Sequence, residues 1–175
     1  MTQRALVAGG GGFIGGHLAA ELLGTGVDVT VADIKPEDQW YQRHPGARNL
    51  VLDLEDPAAC QEALAEADVV YNLACNMGGM GFIENNRALC MNSVLINTNL
   101  LKQAQQQGVQ KYFYASSACI YPDYRQGETD LVALKESDAY PAMPEDGYGW
   151  EKLFSERLCR HYLEDFGMQV RVFRF

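Results

Sequence analysis

The sequence predicts an α/β domain built on a doubly wound parallel sheet with helices on both faces. Three observations lead to this class: strand-like and helix-like segments alternate along the chain, each strand is a short and nearly continuous apolar run, and a glycine-rich turn joins the first strand to the first helix. Right-handed crossovers then place helices over both faces of the sheet. The six predicted strands suit the order 3-2-1-4-5-6.

The first half of the chain supplies four of these strands. The first helix carries Ile14, Leu18 and Leu22 on one side, and Asp56 is the expected N-cap of the second helix. The predicted elements are a strand at 4–8, a helix at 13–23, a strand at 27–32, a loop at 34–48, a strand at 49–52, a helix at 57–66 and a strand at 68–73.

The second half continues the alternation after a glycine-rich stretch. We expect a helix at 83–107 that ends at Gly108, a strand at 111–115, a helix at 147–166 and a strand at 169–175. Residues 121–144 have no sustained period and are predicted to form an irregular surface loop, and a loop of that length usually has a function.

The composition excludes several classes of protein. The 175 residues suit one compact domain, and 14 Lys and Arg against 23 Asp and Glu give a net charge of −9. We expect no nucleic-acid partner, because binding phosphates needs clustered positive charge. The chain lacks an apolar run of about 20 residues and a secretory signal, which predicts no membrane association and a cytoplasmic location. The five cysteines contain no C-x-x-C pair, which favours free thiols and no metal site.

The glycine-rich turn is the strongest functional signal. Gly9, Gly12 and Gly15 lie between the first strand and the first helix, where backbone N–H groups and the helix dipole favour a pyrophosphate. A flexible turn is the alternative, but Asp33 follows Gly15 by 18 residues at the end of the second strand, as expected for a dinucleotide site. A Rossmann-type domain is therefore predicted.

Two carboxylates follow the second and third strands. Asp33 is expected to accept hydrogen bonds from the adenosine ribose and to repel a 2′-phosphate, which favours NAD over NADP, although Lys35 nearby weakens this discrimination. Asp53 either approaches the adenine or is a simple turn residue.

Tyr148 and Lys152 lie one helical turn apart on the last predicted helix. A neighbouring ammonium and a cationic nicotinamide are expected to lower the pKa of the Tyr148 phenol, so that it can take a proton from a hydroxyl group. Without the dinucleotide signal this pair would be assigned to a solvated helix face.

Polar residues also follow the fifth strand, at the edge where open α/β sheets bind ligands. A hydroxyl of Ser116 or Ser117 is placed to bind a substrate oxygen. Cys119 is predicted to be the one thiol in this crevice, although inert packing is the usual role of a single cysteine. The other four cysteines are expected to be buried.

These motifs resemble those of the extended short-chain dehydrogenase/reductase family of nucleotide-sugar epimerases and dehydratases. The resemblance covers the chain from about Arg4 to Phe175. It is carried by VAGGGGFIGGHL at 7–18, DL at 53–54, NLA at 72–74, SSACIYP at 116–122 and YGWEK at 148–152, and by the longer stretches NMGGMGFI at 76–83 and LKESDAYPAMPEDGYGWEK at 134–152.

The resemblance implies an NAD-dependent epimerase that acts on a nucleotide sugar similar to GDP-mannose. Hydride passes from C4 of the hexose to NAD⁺ while Tyr148 removes the hydroxyl proton, and Cys119 then exchanges protons beside the resulting 4-keto group. By the same resemblance, Phe13, Ile14, Leu54 and Leu73 join the glycines, Asp33, Asp53, Tyr148 and Lys152 around NAD, while Gly78, Gly79, Met80, Ser117 and Cys119 hold the sugar.

The members of this family continue for about as many residues again, as a substrate domain. We therefore interpret residues 1–175 as the dinucleotide-binding domain, with the substrate domain absent from this chain and complete epimerisation in doubt. An NAD-binding module without turnover and a nucleotide-sugar 4,6-dehydratase or 4-epimerase are the alternatives. The last strand is an exposed edge, which favours self-association as a homodimer.

Overall fold

The computed structural model of the chain describes residues 2–125 and 133–175. Its strands are β1 (Arg4–Ala8), β2 (Asp28–Asp33), β3 (Arg48–Val51), β4 (Val69–Asn72), β5 (Lys111–Ser116) and β6 (Gln169–Arg174). Its helices are α1 (Phe13–Gly24), α2 (Pro57–Ala63), α3 (Met80–Asn85), α4 (Arg87–Gln106) and α5 (Asp146–Phe166). The strands are parallel neighbours in the order β3-β2-β1-β4-β5-β6, which confirms the predicted class and strand order.

The sheet separates two apolar cores because alternate strand residues point to opposite faces. On one face, Leu6 and Val70 pack with residues of α2, α4 and α5. On the other face, Val7 and Val31 pack with Ala19 of α1 and with Trp40. Over β5 and β6 this second face is less covered, since Phe173 is half exposed and stacks on Phe113.

Three local predictions are wrong. The helix expected at 83–107 is divided into α3 and α4, because Asn86 leaves the helical conformation and its side-chain amide donates to the Phe82 carbonyl. The helix expected to reach residue 66 ends at Ala63, and Glu66 has a positive φ. Ile14 is half exposed rather than on the packed side of α1, which Gly15, Gly16 and Ala19 form.

The two long loops contain short structure. Residues 34–48 include a 3₁₀ turn at Glu37–Gln39, and residues 121–144 include 3₁₀ turns at Asp123–Arg125 and Glu136–Ala139. Pro122 and Pro144 form an antiparallel bridge across the second loop, of which residues 126–132 lie outside the described part. Among the described residues, no helix has the length and apolar character needed to cross a membrane.

The strand order positions the site. It reverses between β1 and β4, so the connections from these two strands diverge and leave a crevice beyond their carboxyl ends. Gly9, Asp33, Leu73 and Ser116 all lie at this edge.

Candidate active site

The glycine turn is held by backbone contacts. Gly9 adopts a φ of +77°, which favours glycine, and its N–H donates to the Ala32 carbonyl over 2.8 Å. A Cβ on Gly15 would overlap the Gly9 carbonyl oxygen and lie 2.6 Å from the Gly10 Cα, so α1 can approach β1 only through a glycine. Gly12 precedes α1 and provides no side-chain cap, which leaves the first helical N–H groups available for an anion.

Asp33 lies at one side of this turn with its carboxylate oriented by two backbone groups. One oxygen accepts from the Gly11 N–H and the other from the Lys35 N–H, both over 3.0 Å. The Trp40 indole packs against Gly11 and donates to the Lys35 carbonyl over 2.7 Å. The carboxylate is therefore fixed at the end of β2, as a ribose acceptor requires.

A cleft of about 360 Å³ extends from the glycine turn to α5. All eleven residues predicted to hold NAD line it: Gly9, Gly12, Phe13, Ile14, Gly15, Asp33, Asp53, Leu54, Leu73, Tyr148 and Lys152. Asp53 also accepts from the Glu55 N–H over 2.9 Å, so its turn role and its place in the cleft coexist. The sequence therefore located one continuous cavity from residues that are spread over most of the chain.

Tyr148 and Lys152 are buried at the far end of this cleft, which rules out a solvated helix face for the pair. The Lys152 ammonium donates to the Ala115 carbonyl over 3.1 Å and lies 5.4 Å from the centroid of the Tyr148 ring. The Tyr148 hydroxyl donates to the Met77 sulfur over 3.6 Å. The phenol and the ammonium thus share one wall of the cleft.

The electrostatic prediction for Tyr148 is wrong in one respect. We expected the Lys152 ammonium and a cationic nicotinamide together to lower the pKa of the phenol, but in the chain itself burial raises the pKa of Tyr148 well above its usual value, and Cys75 and Glu151 add to that rise. A contact with the Ser117 hydroxyl opposes the shift. The Lys152 ammonium is directed instead toward the Ala115 carbonyl and toward the Glu151 carboxylate, which lies 3.7 Å away.

Cys119 lies in a second cavity of about 390 Å³ that adjoins the first. Tyr148 lines both cavities, whereas Cys119 lines only the second, together with Glu84, Arg87 and Asp146. The Ser117 hydroxyl accepts from the Cys119 N–H over 3.3 Å. Ser117 lines neither cavity, and its neighbour Ser116 lines the first.

The predicted sugar-binding loop lies beside the second cavity. Gly79 precedes α3, which Met80 begins, and Ile83 of the same helix lines that cavity. A Cβ on Gly78 would lie 2.8 Å from the Phe82 Cβ, so this loop packs closely on the helix that follows it. Gly78 and Gly79 themselves line neither cavity.

Comparison with known proteins identifies this arrangement. The sequence profile described as "NAD dependent epimerase/dehydratase family" matches residues 5–175. The chain belongs to this family. GDP-mannose 3,5-epimerase 1 of Oryza sativa subsp. indica is 45% identical over 173 residues, which are 98% of this chain and 46% of that protein. The chain thus spans about half the length of this relative, and the likeness predicted from its motifs is confirmed.

Solved structures of two sugar-nucleotide epimerases have the same fold. A UDP-galactose 4-epimerase superposes with a TM-score of 0.83 at 30% identity, covering 98% of this chain and 55% of that chain. The UDP-glucose 4-epimerase of Thermus thermophilus, in complex with NAD, has a TM-score of 0.83 at 27% identity and covers 98% of this chain and 54% of that chain. The predicted enzyme class and its cofactor, NAD, are those of the family.

For this member of the family, one prediction about the thiols needs correction. Cys119 was expected to be the one cysteine in the crevice, but Cys75 lines the cleft of about 360 Å³ beside Tyr148 and Lys152, which we call the NAD-type cleft because it contains the residues expected to hold NAD. Burial raises the pKa of the Cys75 thiol, and the Lys152 ammonium opposes that rise. Cys75 follows β4, and Ser116 ends β5. Residues after the fifth strand were expected at the ligand-binding edge of the sheet, and residues after the fourth strand lie at the same edge for the same reason.

Sequence reasoning also missed Glu151. This carboxylate lies within YGWEK, but neighbouring helical positions point in different directions and gave no reason to connect it with Lys152. In the structure it is 1% exposed and adjoins the Lys152 ammonium. No local pattern could have revealed this, because its other partners include Tyr114 on β5.

Proposed function

We propose that residues 1–175 form the dinucleotide-binding domain of an NAD-dependent nucleotide-sugar epimerase, with a substrate similar to GDP-mannose. One observation carries the proposal: Tyr148 lies where two cavities adjoin, and one holds every predicted NAD residue while the other holds Cys119. Such a phenol can contact a cofactor on one side and a sugar on the other.

The glycine turn fits a dinucleotide. The close packing of Gly15 on Gly9 forms a cradle that a Cβ would fill, and the uncapped start of α1 presents N–H donors to a pyrophosphate. The Asp33 carboxylate, fixed by Gly11 and Lys35, is oriented to accept from ribose hydroxyls. These residues would hold NAD, which when bound accepts a hydride from C4 of the hexose and later returns it.

Side chains of this chain then accept and donate the protons of the reaction. Tyr148 takes the proton of the C4 hydroxyl. The Lys152 ammonium donates to the Ala115 carbonyl, but it lies 5.4 Å from the centroid of the Tyr148 ring, and its positive charge stabilises the resulting phenolate through space. Loss of hydride and proton leaves a ketone at C4, which makes the hydrogens on C3 and C5 acidic. The Cys119 thiolate removes one of these protons and becomes the thiol, and inversion requires a second acid to deliver a proton to the opposite face of the same carbon.

Isotope exchange tests this assignment. The chain is incubated with NAD⁺ and GDP-mannose in deuterated water, and deuterium at C3 and C5 is measured by NMR. We expect incorporation that Tyr148→Phe abolishes, since that variant loses the proton acceptor but keeps the packed ring. Normal exchange by Tyr148→Phe would contradict the assigned role.

Two alternatives predict different outcomes. Because the chain spans about half of its relative, an NAD-binding module without turnover is the second candidate, and it predicts NAD⁺ binding with no exchange. A 4,6-dehydratase or 4-epimerase does not need the thiol. A Cys119→Ser variant that keeps the full turnover of a nucleotide sugar would therefore favour that reading.

Location and assembly belong to the same proposal. The five cysteines are all unpaired, which suits the reducing cytoplasm. Strand β6 is at the edge of the sheet, with Phe173 half exposed, which favours a homodimer. Light scattering across a concentration series tests the dimer, and a constant monomer mass would contradict it.

A further inference from the structure

Glu151 is a buried carboxylate that the mechanism above does not use. It is 1% exposed and does not line the NAD-type cleft. Its Oε1 accepts from the Tyr114 hydroxyl over 3.0 Å and from the Ser155 hydroxyl over 3.2 Å. Its Oε2 accepts no hydrogen bond from any residue in the described ranges and lies 3.7 Å from the Lys152 ammonium.

Stability does not explain this residue. Burial raises the pKa of Glu151 above its usual 4.5, although Lys152, Tyr114 and Ser155 oppose the shift. Because the folded pKa is higher than the unfolded one, the carboxyl favours folding when it is protonated, and that contribution is lost as the pH rises through the folded pKa. Ionising this carboxyl therefore costs stability, and its position 3.7 Å from the Lys152 ammonium points to an advantage other than stability.

The Lys152 ammonium suggests that advantage. It is 2% exposed and held at the Ala115 carbonyl, and it forms part of the cleft wall beside Tyr148. An oxidised nicotinamide ring next to this ammonium would bring a second positive charge into a poorly hydrated site. Two such charges repel each other strongly unless a nearby anion balances one of them.

We propose that Glu151 is a positioning residue that fixes the Lys152 ammonium and balances its charge, so that the cleft accepts the cationic NAD⁺ ring as readily as the neutral NADH ring. The inference rests on the proposed function, which places nicotinamide beside Tyr148 and Lys152. Glu151 acts through Lys152 and touches neither cofactor nor substrate.

The ratio of NAD⁺ to NADH affinity tests this charge balance. Dissociation constants for both forms are measured by calorimetry at about pH 8, because a carboxyl whose pKa is raised is more fully ionised at higher pH. We expect Glu151→Gln to weaken NAD⁺ binding about three- to tenfold more than NADH binding, because the ammonium loses its counter-charge. General damage to the site would weaken both forms equally.

Matched variants separate charge from shape. Glu151→Asp keeps the charge and Tyr114→Phe removes only a hydrogen bond to Oε1, so both should keep the wild-type ratio. The double variant E151Q/K152M leaves no unpaired buried charge and should restore a ratio near that of the wild type. If E151Q does not fold, this double variant still gives a measurement of the ratio.

The outcomes distinguish this inference from the proposed function. An unchanged ratio in E151Q, or an equal loss of both affinities, would overturn the role of Glu151 while leaving the NAD site intact. A double variant whose ratio departs from the wild type as far as that of E151Q would overturn it too. Wild-type protein that binds neither form would overturn the proposed function itself, and this inference with it.

Discussion

The two ends of the cleft are built in different ways. At the glycine turn the geometry depends on backbone and on missing atoms: Gly9 donates to Ala32, and Gly15 has no Cβ where it meets Gly9. At α5 the geometry depends on charged and polar side chains, among them Lys152 and Glu151. We infer that changes at the turn lose cofactor binding and stability together, whereas changes at α5 alter chemistry with less effect on folding.

The largest effect is expected at the turn, for Gly15→Ala. The added Cβ overlaps the Gly9 carbonyl oxygen, and only a backbone movement can relieve this contact. We expect the free energy of unfolding to fall by about 3 kcal/mol or more, because overpacking of this kind is not absorbed by a flexible side chain. Urea unfolding and calorimetric NAD⁺ binding measure the two losses.

Gly24→Ala is the matched control for this variant. Gly24 is in the last turn of the same helix, and a Cβ there meets nothing within 4 Å among the described residues. Its stability should change by less than about 1 kcal/mol, in either direction. Equal stability of Gly15→Ala and Gly24→Ala would contradict the inference that the geometry of the glycine turn depends on the missing Cβ of Gly15.

The next largest effect is expected where α5 begins, for Gly149→Ala. A Cβ on Gly149 would overlap the Cys119 carbonyl oxygen, which also accepts from the Glu145 N–H over 3.0 Å. Because the Cys119 oxygen belongs to the backbone, only a backbone movement can relieve this contact, and the higher helix propensity of alanine offsets part of the cost, so we expect a loss of about 2 kcal/mol. NAD⁺ affinity should stay near the wild-type value while deuterium exchange at C3 and C5 falls. An equal fall in NAD⁺ affinity and in deuterium exchange would contradict the inference that the two ends of the cleft act independently.

The same division explains how much the sequence predicted. The strand order and the glycine turn could be predicted because apolar runs and glycines impose their geometry on adjacent residues. All eleven residues expected around NAD line the cleft. The glycines, the two carboxylates and the pair Tyr148 and Lys152 were expected from strand ends, the glycine turn and helical spacing, whereas Phe13, Ile14, Leu54 and Leu73 were expected only from the family resemblance. Residues that follow parallel strands meet at one edge whatever the loops do.

The chemistry at α5 depends on distant partners and was predicted less well. Lys152 was expected to act on Tyr148, but Ala115 and Glu151 hold its ammonium, and one of these partners is on another element. Cys75 was assigned to the core because a lone cysteine carries no local signal. The break at Asn86 was missed for a related reason, since asparagine is tolerated inside helices.

A smaller effect is expected for Asp33→Asn, on cofactor choice. The fixed carboxylate should repel a 2′-phosphate, and Lys35 in the same cleft would attract one, so the neutral variant should lose about tenfold in preference for NAD⁺ over NADP⁺. Asp53→Asn is the control, because Asp53 lines the same cleft. Loss of preference in the control instead would assign the discrimination to Asp53.

The smallest effect is expected in the order in which the thiols are alkylated. This order tests whether the cleft and the adjoining cavity are occupied separately. Burial raises the pKa of Cys60 and of Cys159 to about 12, so both should stay unmodified by iodoacetamide at about pH 8. Cys75 and Cys119 are partly exposed and should react, Cys75 slowly because burial raises the pKa of its thiol. Because Cys75 lines the cleft and Cys119 the adjoining cavity, NAD⁺ should protect Cys75 and leave Cys119 reactive, as peptide mass spectrometry would show. Protection of Cys119 by NAD⁺ alone would mean that the two cavities are occupied as one, and the division between cofactor and sugar at Tyr148 would have to be abandoned.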